Sequence, residues 1–259
     1  MGLIDNKVDS IDELLKRTTR KTSGRIHHYT SLNSLVSIIV NKCFRFTRID
    51  LLNDKKEESF ACLDGNEIMY NLSFSQTGKE SVAMWKMYGG SGQKIRLSLS
   101  RGNLIESFND NIYFDNTLKS KVSDDCFIKG AGAFANKNFS ITDVVYLDRR
   151  NSKIRFNGKS YECVDKYRDK FKGFMKYDCW EFESESRLTA LIDKTILNNE
   201  PPKYLYGKIN KKLLENINIT FDPWTSGEMK TFIKSGLNML AESKLSYSDS
   251  ELEGEIEWI

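Results

Sequence analysis

The chain of 259 residues is 39% hydrophobic and 29% charged, with a formal net charge of +3. That length and apolar content suffice for a packed core, which excludes disorder as the default state and removes any need for disulfide staples. Five cysteines form no CxxC pair, two adjacent histidines (His27, His28) offer no zinc ligand set, and no apolar run nears about 18 residues; the expectation is a soluble cytoplasmic protein with reduced thiols, no metal and no membrane partner.

In chain order, MGLIDN places Asn6 where a myristoylation signal requires Ser or Thr. Val8, Ile11, Leu14 and Leu15 then recur at helical spacing and predict a short amphipathic helix over residues 7–19. The basic run Lys16, Arg17, Arg20, Lys21 and Arg25 is either a solvated segment or a surface that meets phosphate. RIHHYTS reads as a strand, Ser31 caps a helix from Leu32 to about Lys42, and CFRFT is the next strand. Asn53 and Asp54 break LLNDKKEES, and a helix is expected from there through Met69. A strand at NLSFS leads into a helix bearing Met84, Trp85 and Tyr88, which Gly89 and Gly90 terminate. KIRLSLS alternates as a half-buried strand does.

DVVYLD and KIRFN read as strands and Val164 to Lys176 as a basic-aromatic helix. CWEFESESRLTALI is the longest strand candidate, KYLYGKI another, and Thr225 to Glu242 a helix capped near Ser226. With no repeat, low-complexity tract or linker, residues 1–259 read as a single domain. Within it, 1–24 is an N-terminal helix and basic segment, 25–190 a motif-bearing core, and 200–259 a strand-helix extension with an acidic tail. Strands and helices without a regular βαβ rhythm predict an α+β fold, and the absence of GxGxxG and GxxxxGK[ST] argues against a Rossmann site or a P-loop.

WEFESESR carries Glu183, Glu185 and Arg187 at every second position. On one strand those side chains share a face, the carboxylates roughly 7 Å apart, so repulsion raises one pKa while Arg187 holds the other group charged. Such a pair can move protons or grip hydroxyls beside developing positive charge; a solvated strand face with inert ion pairs is the plainer alternative. In HHYTS, His28 and Thr30 share a face opposite Tyr29, beside the start of a helix. Trp85 and Tyr88 lie three apart, as core residues or as a stacking cover for a planar ring. Asn53, Asp54 and Glu57 read as turn and cap chemistry.

The succession HYTS, LNDxxE, FS…MWxxY and WxFExExR resembles a bacterial family catalogued as domain of unknown function 2971, over roughly residues 25 to 190, with Lys55 where members often carry proline. More distantly, His-x-Thr ending an early strand, an aromatic helix after a central strand and Glu-x-Glu on a late strand are similar to the ADP-ribosyltransferase superfamily. That resemblance implies a split antiparallel β-sheet core with surrounding helices, NAD as substrate and no metal. It implies that His28, Tyr29, Thr30, Ser75, Trp85 and Tyr88 hold NAD, with Tyr88 stacking on nicotinamide, and that Tyr29 stands where many such enzymes have glycine. Glu185 becomes the catalytic acid, Glu183 the group that activates the acceptor, and Arg187 the residue that keeps the pair ionised or meets pyrophosphate. Hydrogen bonds to the ribose 2-hydroxyl strengthen as the sugar gains positive charge, which suits a carboxylate there. The expected activity is transfer of ADP-ribose to RNA, in preference to DNA or protein, by a bacterial toxin or antiphage effector, with an antitoxin as a possible partner. A non-catalytic binding module, or a metal-dependent nuclease using Glu183, Glu185 and Asp54, is the alternative.

Overall fold

The computed structural model of the protein describes residues 11–18, 23–60, 63, 65–108, 112–114, 141–151, 153–161, 170–194 and 200–255. Its helices are α1 (Ile11–Thr18), α2 (Leu32–Asn41), α3 (Glu57–Phe60), α4 (Val82–Met87), α5 (Arg101–Phe108), α6 (Lys211–Glu215) and α7 (Gly227–Ala241). The strands of the first half are β1 (Arg25–Ser31), β2 (Cys43–Arg48), β3 (Glu67–Ser75), β4 (Lys94–Ser100), β5 (Ile112–Phe114), β6 (Ile141–Asp143) and β7 (Val145–Leu147). Those of the second half are β8 (Ile154–Phe156), β9 (Lys159–Tyr161), β10 (Met175–Tyr177), β11 (Glu185–Asp193), β12 (Tyr204–Lys208), β13 (Asn218–Phe221) and β14 (Ser246–Ser248).

Alternation in the sequence sets the main sheet's buried face. Ile95, Leu97 and Leu99 of β4 are fully buried, and Leu35, Ile38 and Ile39 of α2 join the same core, which also takes Ile233 and Leu237 of α7. Each such side chain contributes about 1.5–3 kcal/mol on leaving water. Caps fix the helix starts: the Ser31 hydroxyl accepts from the Ser34 amide at 3.1 Å and Ser226 from the Met229 amide at 3.3 Å. Among the described residues the architecture is α+β, with antiparallel pairing dominant in the main sheet.

The main sheet runs β14-β13-β4-β1-β3-β2-β12-β5, with β11 on β3 and β6 on β11. Strand β11 pairs with β3 along its whole length, from Glu185↔Ser75 to Asp193↔Glu67. The other edge of β3 is shared. Strand β2 meets it at Asn71 and Tyr70, and β1 meets it at Ser75 alone. The sheet is therefore open beside residues 72–74, between a β4–β1 half and a β2–β12–β5 half. A smaller sheet, β10-β7-β8-β9, has its own core of Val145, Ile154, Phe156 and Tyr161, to which Leu14 of α1 adds.

Several expectations change. The helix after LLND is confined to α3, and the chain from Glu67 is already strand, because Ile68, Tyr70, Leu72 and Phe74 recur with the period of two that puts them on one buried face. DVVYLD divides at Val144, so that β6 joins the main sheet and β7 the small one. The expected helix over Val164 to Lys176 ends in strand β10 instead, which pairs in parallel with β7; residues 162–169 lie outside the described residues. CWEFES is not strand but a 3-10 helix, Asp178–Glu183, ended by Ser184 at φ 44°. Strands β13 and β14, which add an edge to the main sheet, follow from no sequence expectation.

Candidate active site

The opening beside β3 forms a cleft of about 560 Å³, lined by residues of β1, α2, β2, β3 and β12 together with Tyr88, Lys176, Glu183, Glu185 and Arg187. This is within the size range of small-molecule sites. Ser75 stands in register with His27 on one side and Glu185 on the other, so the three side chains leave the sheet by one face. Asn71, Ser73, Arg187, Thr189 and Thr47 share that face. The Ser75 hydroxyl, buried in the cleft wall, has no hydrogen-bond partner among the described residues.

His28 and Thr30 share a face, as the alternation predicts, but it is the opposite face from the carboxylates. The His28 ring packs on Phe44 and Phe74, with centroids 5.9 and 5.6 Å away. Its Nδ1–H donates to the Ser73 carbonyl at 2.9 Å, bridging the open edge of β3. Burial, only partly opposed by that bond, holds its pKa below the usual imidazole range and keeps the ring neutral. Both residues nevertheless line the cleft.

Glu183 and Glu185 meet by a route other than strand alternation. Glu183 closes the 3-10 helix, Ser184 turns the chain in the left-handed region, and Glu185 opens β11. Both acids then converge on one ammonium. Lys176 Nζ lies 2.6 Å from Glu183 Oε2, 3.0 Å from Glu185 Oε2 and 3.3 Å from Glu57 Oε1. Arg187 donates through Nε and Nη2 to the two Glu185 oxygens at 2.7 and 2.9 Å. It also reaches Glu57 Oε2 at 2.5 Å and the Gly173 carbonyl at 2.8 Å. Gly173 has φ 74°, and a Cβ there would overlap the Met69 sulfur, so glycine is required where the chain presents that carbonyl.

These five charged groups are almost wholly buried, and their environments separate the two acids of the motif. Burial, reinforced by the neighbouring Glu185 charge and opposed by Lys176, raises Glu183 to about 7. Burial would raise Glu185 as well, but the Arg187 and Lys176 charges outweigh it and hold that carboxyl well below the usual range. Glu185 is thus a fixed anion, and Glu183 a group that exchanges a proton near neutrality. The Tyr88 hydroxyl donates to Glu183 Oε1; burial and then the Glu183 charge keep that phenol protonated. The amide of Glu185 donates to the Tyr146 hydroxyl at 2.8 Å.

Trp85 and Tyr88 part company because Tyr88 ends α4 in an extended conformation, φ −110° and ψ 144°. Tyr88 turns into the cleft. Trp85 is fully buried, 4.9 Å from the Tyr29 ring in a T-shaped pair, and its indole N–H donates to Glu80 at 2.9 Å. It is absent from the cleft lining, which corrects the expectation that it covers a ligand. Tyr29 contributes to the wall mainly by packing with Met84 and Trp85. Asp54 is a turn residue: its Oδ1 accepts from the Lys56 amide at 2.9 Å, and it does not line the cleft. The Lys176 ammonium stands between the Glu183 and Glu185 carboxylates.

Glu57 and Lys176 carry no local signal of their role. Glu57 lies in a run of charges that reads as a helix start, and Lys176 in a basic-aromatic stretch; only the packing of α3 and β10 against β11's first residues assembles them. No helix of the described residues is long and apolar enough to cross a membrane. Compared with known proteins, the chain matches no protein-family profile and no curated protein sequence.

Proposed function

We propose that the protein is an ADP-ribosyltransferase that uses NAD as substrate and transfers ADP-ribose to a macromolecular acceptor, RNA in preference to DNA or protein, as a bacterial toxin or antiphage effector. The observation that carries this reading is the pair of buried glutamates with divergent protonation, beside Ser75 and Tyr88, at a cleft in a split antiparallel sheet. The split sheet is the form expected of that superfamily. The unpartnered Ser75 hydroxyl and the Tyr88 ring supply the polar and aromatic contacts that a nicotinamide ribose calls for.

Loss of nicotinamide from NAD leaves positive charge on the ribosyl carbon. Glu185, held as an anion by Arg187 and Lys176, favours that charge electrostatically and accepts from a sugar hydroxyl with its remaining lone pairs. Glu183 takes the proton of the attacking acceptor group, and the Tyr88 hydroxyl and Lys176 ammonium orient its two oxygens. His28 locks β1 to β3 and thereby fixes the width of the cleft.

A second reading has one observation in its favour: Arg187 engages both Glu185 oxygens, as in a structural ion network inside a non-catalytic binding module. Incubation with labelled NAD and separate pools of RNA, DNA and protein distinguishes the two. Transfer of label with nicotinamide release, lost in a folded Glu185→Gln variant, supports the transferase; intact NAD in every pool refutes it.

A further inference from the structure

The cleft extends well past the glutamates. Asn71 lies four residues before Ser75 on the same face of β3, about 13 Å away, with Arg187 and Ser73 in the row between. Asn71 is 2% exposed and lines the cleft. The Thr189 hydroxyl donates to its Oδ1 at 2.7 Å, while Nδ2 has no partner among the described residues. Whichever way the amide is turned, one of its atoms is left to a ligand. A buried amide atom without a partner costs about 1–3 kcal/mol, an expense that a bound polar group relieves.

The wall beside Asn71 sets one basic residue, Arg45, among the aromatic Tyr204 and Tyr206. Thr47 pairs with both Asn71 and Tyr204, Arg45 with Tyr206, and Cys43 with Lys208, so these side chains occupy the cleft face of β2 and β12. The Arg45 guanidinium lies 4.5 Å from the centre of the Tyr204 ring, and both Arg45 and Lys208 are exposed. On the face that bears Thr47 and Tyr204, strands β2 and β12 carry Arg45 and Lys208 and no acid, while Arg48 on the other face is paired with Asp50. The Arg45 guanidinium over the Tyr204 ring offers a base a joint cationic and aromatic surface, Arg45 and, outside the cleft lining, Lys208 offer charge to phosphates, and the Asn71 amide matches the donor and acceptor edge of a nucleobase.

We infer that the arm of the cleft between β2, β12 and Asn71 is a subsite for a base of a single-stranded polynucleotide, the acceptor of the transfer proposed above, on which this inference rests. The separation of about 13 Å from Ser75 means that the base held at Asn71 flanks the nucleotide presented to Glu183. The acceptor is accordingly an oligonucleotide, and a mononucleotide binds poorly.

The test uses the full chain and fluorescent single-stranded RNA and DNA octamers, followed by anisotropy at about 50 and about 200 mM salt, with a mononucleotide as competitor. Expected are octamer binding that weakens with salt, ineffective competition by the mononucleotide, and weakening by about tenfold in each of Tyr204→Ala, Asn71→Ala and Arg45→Lys. Arg45→Lys is decisive, because it alters an exposed side chain, keeps the charge and loses the plane; Tyr204→Phe should restore binding. Preference for one octamer assigns RNA or DNA, and either supports the subsite. Binding unchanged in Arg45→Lys and Tyr204→Ala, or no octamer binding, overturns it. NAD titrated into the wild-type protein by calorimetry separates the two claims: octamer binding without NAD binding sinks the transferase and leaves the subsite, and the converse sinks the subsite alone.

Discussion

Replacement of Glu183 by Gln should change how stability depends on pH, in a predictable direction. Burial and the adjacent Glu185 charge raise this carboxyl from 4.5 to about 7, a preference for the protonated form of about 3 kcal/mol. The folded pKa lies above the unfolded one. Its contribution is therefore complete below about pH 4.5 and is lost as pH rises through about 7, where the folded protein must hold a second buried anion beside Glu185. The side-chain amide of the Glu183→Gln variant has no such proton to lose. Urea unfolding of the wild type and of Glu183→Gln at intervals from pH 5 to 8 should show the wild type losing about 3 kcal/mol relative to the variant over that interval. Titrating groups outside the cluster cancel in the difference. Parallel stability curves across the interval would refute the arrangement in which Lys176 and Tyr88 serve a half-protonated Glu183.

Arg187→Met removes the guanidinium that serves Glu185 and Glu57 in the interior; breaking such a pair costs about 3–5 kcal/mol and lowers the melting temperature by on the order of 10 °C. Adding Glu57→Gln should recover part of that loss in a double-mutant cycle, and simple additivity would count against the coupled cluster. Trp85→Ala, which empties a fully buried site against Tyr29, should cost about 3–5 kcal/mol in chemical denaturation; a loss below about 1 kcal/mol would show that Trp85 is not core. Ser184→Gly should be neutral or stabilising, because the turn at φ 44° suits glycine, whereas Ser184→Val should destabilise by about 1–2 kcal/mol. Equal stability of the two variants would contradict the turn between the glutamates.

Local patterns in the sequence determined much of this protein. Ser31 and Ser226 announce α2 and α7 because a cap needs only its own helix, and KIRLSLS announces β4 because period two is a local property. The same logic picked out Glu183, Glu185 and Arg187 and put all three on one strand face; Glu185 and Arg187 do share a face of β11, whereas a left-handed Ser184 sets Glu183 apart and Lys176 draws the two acids together again. Tertiary structure alone decided that Glu57 and Lys176 belong to the cluster, that Trp85 is core and Tyr88 cleft, and that His28 bridges a gap in the sheet. Periodicity records which face of an element is buried; it holds no information on which distant element supplies the charge that makes burying a carboxylate tolerable.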